Sequence, residues 1–168
     1  MRPVLYIILI IILAEAAVIA QSPVKQSISI SVSASLLNNA QVQLVTIRNI
    51  KILGCNEKHE TNYISPVKSP NAGFMIAHGN PRTQVLLTYK AKDVLKNING
   101  KGTISITYQL SSSAKQVQRE SQINTSGRII LNLGKDGYSY LWVGGYIDLD
   151  KAAPGDYKGE FTYEIIYI

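Results

Sequence analysis

Apolar and polar residues alternate with a period of two through much of the chain, and the longest such run closes it. From Tyr157 to Ile168 one face carries Tyr157, Gly159, Phe161, Tyr163, Ile165 and Tyr167, while the other begins Lys158, Glu160, Thr162 and Glu164. Successive side chains of a strand point to opposite faces, so this spacing predicts a half-buried β-strand. Ala153-Pro154-Gly155-Asp156 precedes it with turn chemistry, Pro presetting φ and Gly permitting a positive one. Ser27 to Leu36 is equally regular: Ile28, Ile30, Val32, Ala34 and Leu36 share one face, and Ser27, Ser29, Ser31, Ser33 and Ser35 the other.

Between these ends the pattern predicts further strands. Val42 to Leu53 changes phase, with Val42 and Leu44 on one parity and Val45 and Ile47 on the next, which requires a bulge or two short strands. Gly54 to Gly73 has the Asn, Ser, Pro and charged residues of a long surface connection. Strand signals follow at Phe74 to Ala77, at Val85, Leu87 and Tyr89, and at Ile104, Ile106, Tyr108 and Leu110, the last entered through an Asn99-Gly100-Lys101-Gly102 hairpin turn. Ser111 to Gly127 is polar and reads as a flexible loop or a weak edge excursion. Ile129, Leu131 and Leu133 form a short strand before the turn from Gly134 to Gly137. Leu141, Val143, Gly145, Ile147 and Leu149 then alternate against Tyr140, Trp142, Gly144 and Tyr146. About eight short strands with few helical windows predict an all-β domain, a Greek-key β-sandwich of the immunoglobulin-like kind, with a jelly roll or barrel as the alternative.

The first twenty residues stand apart. Met1-Arg2-Pro3 is a short positive start, Val4 to Leu13 is unbroken apolar sequence, and Val18-Ile19-Ala20 precedes Gln21. This is the layout of a secretory signal peptide over residues 1–20, leaving one domain over 21–168. Glu15 interrupts the run short of the roughly 20 residues that a spanning helix needs. The expected location is therefore secreted or extracytoplasmic, in a periplasm or at a cell surface, with membrane contact only through the signal segment during export. With 46% apolar and 17% charged residues the remainder suits a packed globule, and ten Tyr against two Phe and one Trp is β-protein composition. Cys55 is the only cysteine, so no internal disulfide is possible; it is a buried thiol or a site of intermolecular pairing. The net charge of +6 is scattered rather than clustered, which argues against a nucleic-acid partner.

Little in the chain suggests chemistry. His59 lies beside Glu57 and Glu60, His78 precedes Gly79-Asn80-Pro81, and neither has metal-ligand spacing to Cys55. Asp148, Asp150 and Asp156 match no calcium loop. No nucleophile and base are paired, so no catalytic, cofactor-binding or metal-ligating residue is assigned and the expectation is not an enzyme. Asn124-Thr125-Ser126 has the form of a glycosylation acceptor, a motif common by chance. The stripe Tyr138, Tyr140, Trp142, Tyr146 has two readings: an outer platform for sugars or a partner protein, or packing within a core or interface.

Three stretches carry a family resemblance. They are Ala72-Gly73-Phe74-Met75-Ile76-Ala77-His78-Gly79-Asn80-Pro81; Val143-Gly144-Gly145 with Ile147 and Leu149; and Ala153 to Phe161 continuing through Tyr163 and Ile165 to Tyr167. In order and spacing, over about residues 70–168, they resemble an exported bacterial domain family of unknown function, itself similar to spore coat protein U and Mat-type fimbrial subunits. The resemblance implies an immunoglobulin-like subunit carried to the cell surface, with Gly155, Tyr157, Gly159, Phe161, Tyr163, Ile165 and Tyr167 serving structure and assembly. It also implies partners: other subunits, or a chaperone that donates a strand. Ser27 to Leu36 is then a possible donor strand and Tyr157 to Ile168 the strand beside the groove. Pairing of both segments within one closed domain is the alternative.

Overall fold

In the computed structural model, residues 27–32, 42–53, 63–149, 152–153 and 155–168 are described. The predicted signal segment, Ala34, Leu36, Cys55, His59 and Asp150 lie outside them. The alternation read from the sequence becomes thirteen strands among the described residues. They are β1 (Ser27–Val32), β2 (Gln43–Arg48), β3 (Ile50–Leu53), β4 (Tyr63–Ile64), β5 (Gly73–His78), β6 (Gln84–Tyr89), β7 (Lys92–Asn97) and β8 (Thr103–Ser113). After a 3-10 turn at Gln118–Glu120 come β9 (Gln122–Asn124), β10 (Arg128–Asn132), β11 (Tyr138–Asp148), β12 (Asp156–Phe161) and β13 (Tyr163–Tyr167).

The protein is almost all β, and its sheets pack as a sandwich-like arrangement. The larger sheet runs β2-β5-β11-β8-β7-β12-β1-β3, with β4 also on β11 and β9 on β8; the smaller is β10-β6-β13. Only Asn49 separates β2 from β3, yet they stand at opposite ends of that path. One nearly continuous run thus pairs with β5 through its first half and with β1 through its second. The two short strands predicted there are present, with a register shift between Thr46 and Arg48, but the inward parity does not change: Val42 and Ile50 are buried on the even side, while Val45 and Ile47 on the odd side are exposed.

Two other runs change sheets. The predicted closing strand is in fact two strands broken at Thr162, β12 pairing with β1 and β7 and β13 with β6. Opposite it, β6 and β7 are separated by Lys90 and Ala91. Tyr163 faces Tyr89; six residues further in step would set Tyr157 against Leu95, but it faces Asn97. The offset is two residues, an even number, so the inward face is preserved. A slip of one would turn every apolar side chain to solvent. Tyr157, Phe161, Tyr163 and Ile165 are accordingly all buried.

Three sequence expectations change. The stretch from Gly54 to Gly73 is not wholly surface connection, because Tyr63–Ile64 pairs with Tyr146 and Gly145 and both Ile64 and Ala72 are buried. Ser111 to Gly127 follows the edge-excursion reading and not the flexible loop: β8 extends to Ser113, the three-residue β9 returns along it, and Ser111 and Ser121 are buried. β7 was not anticipated, since Lys92, Asp93, Lys96 and Asn97 hide a strand whose one buried side chain is Leu95.

Phe161 centres the core where the sheets exchange strands. Its ring lies 4.9 Å from Tyr108, edge-on, 5.6 Å from Tyr89 and 6.1 Å from Tyr163. The hydroxyls of Tyr108 and Tyr163 are buried there without a hydrogen-bond partner. Burial pushes Tyr163 up to about 12, and burial with the nearby Asp93 carboxylate raises Tyr108 further. Both phenols therefore stay protonated in the fold where an unfolded chain would ionise them. Their contribution is whole below the free phenol value of about 10 and is lost as pH rises through the folded values. Urea unfolding is expected to show stability falling between about pH 10 and about pH 12, a fall that Tyr163→Phe makes shallower. At neutral pH, Tyr108→Phe is expected to be neutral or stabilising by about 1 kcal/mol, because the unpaired hydroxyl is itself a cost.

Candidate functional site

Two surfaces gather the residues that the sequence singled out. The first is the seam around β1. β1 lies between β12 and β3, parallel to the former with Ile28 against Tyr157, Ile30 against Gly159 and Val32 against Phe161, and antiparallel to the latter with Ile30 against Ile50. Ile28 and Ile30 are 2% and 0% exposed, and Ser29 is exposed, so the Ser/Ile alternation has the phase that the strand requires. The possible donor strand and the closing strand do meet, within one chain.

The closing segment is fixed at both ends. Gly155 has φ +145°, and a Cβ there would stand 2.6 Å from Asn97 Nδ2, so no other residue fits the turn without displacement. The Tyr157 hydroxyl donates to the Ala153 carbonyl oxygen at 2.7 Å, bracing the turn that precedes its own strand. Gly159 lies against Leu95, which occupies the space that a side chain would take. At the far end the Tyr167 hydroxyl accepts from the Asn80 backbone N–H at 3.4 Å and lies beside Gly79. The Gly79-Asn80-Pro81 turn and the aromatic next to the last residue, linked in sequence only by resemblance, are thus in contact.

The second surface is the outer face of β5 and β11. On β11 the odd positions Ser139, Leu141, Val143 and Ile147 face the core, which places Tyr138, Tyr140, Trp142 and Tyr146 outside. Each of them contacts a ring on a neighbouring strand. Tyr138 pairs with His78 at 4.5 Å, Tyr140 and Trp142 stack on Phe74 at 6.4 Å and 5.3 Å, and Tyr146 stacks on Tyr63 at 4.3 Å. Stacking takes up one face of each ring and leaves the other, and Tyr146 remains 53% exposed.

Trp142 is hidden even though it is on the outer face, being only 3% exposed. The segment from Ser65 to Ala72, between β4 and β5, crosses the sheet over Gly144, where an added Cβ would strike the Ile64 carbonyl oxygen and crowd the Pro66 nitrogen. Polar side chains pin that segment. The Ser111 hydroxyl donates to Pro66 O at 3.1 Å, Gln118 Nε2 donates to Pro66 O at 3.0 Å and to Ser69 O at 2.9 Å, and Arg48 Nε donates to Ala72 O at 2.9 Å. Sequence reasoning missed Ser111, Gln118 and Arg48; polar residues in a polar stretch give no period to read.

The remaining candidates carry no shared site. His78 stands on the ladder described above, Asp156 accepts from Asn99 at the opposite end of the larger sheet, and Asn124 Oδ1 accepts from Ser126 N in a local turn. No group of three or more His, Cys, Asp or Glu side chains could hold a metal among the described residues, nor is any helix there long and apolar enough to cross a membrane. No family model matches the chain, and no curated protein matches it.

Loss of the buried indole is expected to act on stability before anything else. Trp142→Ala should cost about 3–5 kcal/mol in denaturant unfolding, whereas Tyr146→Ser, at a ring 53% exposed, should cost about 1 kcal/mol for the lost stacking partner.

Proposed function

We propose that the chain is an exported, non-enzymatic structural subunit of a bacterial cell surface, fimbria-like in role, with an N-terminal strand that can be exchanged between copies or supplied by a chaperone. The observation that carries this is the position of β1. It is a short strand near one end of the chain, inserted between two strands distant in sequence, with a backbone ladder on each side and two isoleucines in the core. The same contacts would form if the strand came from a neighbour, so exchange costs no native interaction and is governed by chain connectivity and concentration. Burial of Ile28 and Ile30 supplies about 3–6 kcal/mol in either arrangement.

The domain is read as an immunoglobulin-like Greek-key sandwich related to spore coat protein U and Mat-type fimbrial subunits. Support comes from two observations. The Tyr157 hydroxyl reaches back four residues to a carbonyl, as the corner tyrosine of Greek-key sandwiches does. The second is the pairing of β1 with β12, which sets an early strand beside a late one as the proposed strand addition needs. A second reading, a carbohydrate- or protein-binding adhesion module, draws on the half-buried rings of Tyr138 and Tyr140 on β11 and on Val45, which is 49% exposed on β2, across β5 from them.

A chain lacking residues 21–36 is expected to lose about 3–6 kcal/mol of stability and to recover it on adding a peptide of those residues. A peptide carrying Ile28→Asp and Ile30→Asp should not rescue it. If the truncated chain is as stable as the whole and takes up neither peptide, strand exchange is wrong.

A further inference from the structure

We propose that Asn99 is a self-modifying residue whose conversion to a carboxylate loosens the corner where the β7–β8 turn, β12 and β1 meet. This stands independently of the strand-exchange reading. Asn99-Gly100 is the single Asn-Gly pair in the chain, and both residues are exposed at the tip of the hairpin turn closed by Asn97 N–H donating to Gly102 O at 3.1 Å. Neither residue is held at a positive φ. With no side chain on Gly100, its backbone nitrogen can approach the Asn99 carboxamide carbon. The Gly100 N–Asn99 Cγ bond forms, the Cγ–Nδ2 bond breaks, and the proton from the Gly100 nitrogen leaves with ammonia, giving a five-membered succinimide. Water then opens either carbonyl to leave aspartate or isoaspartate at position 99. Water is the only co-reactant, and no redox change occurs.

What makes this more than a labile dipeptide is the partner of Asn99. Its Nδ2 donates to Asp156 Oδ2 at 3.0 Å, while the neighbouring Ile98 N–H donates to the Asp156 carbonyl oxygen at 2.8 Å. Asp156 is the first residue of β12 and stands opposite Ser27, the first residue of β1. Hydrolysis replaces the donor with a second carboxylate at hydrogen-bond distance from the first. An attraction becomes a repulsion at the point where both strands begin. The isoaspartate product also inserts a methylene into the backbone of the turn.

The test uses the purified chain held in mildly alkaline buffer and followed by intact mass and peptide mapping. The expected result is the mass gain of amide-to-acid conversion, located at position 99 with both aspartate and isoaspartate present. Gly100→Ala should slow it by about tenfold or more, because glycine alone lacks a Cβ and samples the backbone angles that cyclisation needs. That variant is a fair control: a Cβ at position 100 meets only Asn97 side-chain atoms, at 3.8–4.0 Å. In a second arm, Asn99→Asp should raise the hydrogen-exchange rate of the Ile98 amide several-fold, with Gly100→Ala leaving it unchanged. Conversion located elsewhere in the chain, conversion equally fast in Gly100→Ala, or an Ile98 amide as protected in Asn99→Asp as in the parent would each overturn the proposal.

Discussion

The fold depends on keeping one apolar face inward while the backbone changes partners. Between Asp156 and Tyr167 the chain leaves one sheet for the other at Thr162, and its neighbour does so at Lys90 and Ala91. Phe161 and Tyr163 flank the crossing, both buried, and the two-residue offset leaves their direction untouched. Because Tyr108 and Tyr89 converge on Phe161 from β8 and β6, the same crossing joins both layers. The fold tolerates two buried hydroxyls without partners at this place, an arrangement usually paid for by surrounding packing.

Closure of the pairing path follows from the same economy of strands. The run from Gln43 to Leu53 turns the corner at Asn49, and so the strand that receives β1 is the continuation of one packed on β5. β1 therefore completes a circuit rather than extending an edge. An element in that position is held by two ladders, one on each side.

Much of this was legible in the residues. The parity of Tyr157 to Tyr167 and the Ser/Ile alternation of β1 follow from a period of two imposed by burial on one side. What could not be read is equally physical. Whether Tyr138, Tyr140, Trp142 and Tyr146 face in or out depends on which parity of β11 meets the opposite sheet, and both parities there are apolar. β7 escaped notice because an edge-like run of Lys and Asp buries a single leucine, and the break at Thr162 because a change of partner leaves alternation intact. The segment over Gly144 is held by Ser111, Gln118 and Arg48 through hydrogen bonds to carbonyl oxygens, interactions that leave no hydropathy signature.

The buried indole has a practical side. Trp142 is the single tryptophan of the chain, and it is 3% exposed and stacked on Phe74, on the even side of β11. Its emission colour therefore reports whether the indole stays buried against Phe74, a contact separate from the tyrosines gathered around Phe161. Exposure of that one indole can be followed by its own fluorescence in an unlabelled molecule.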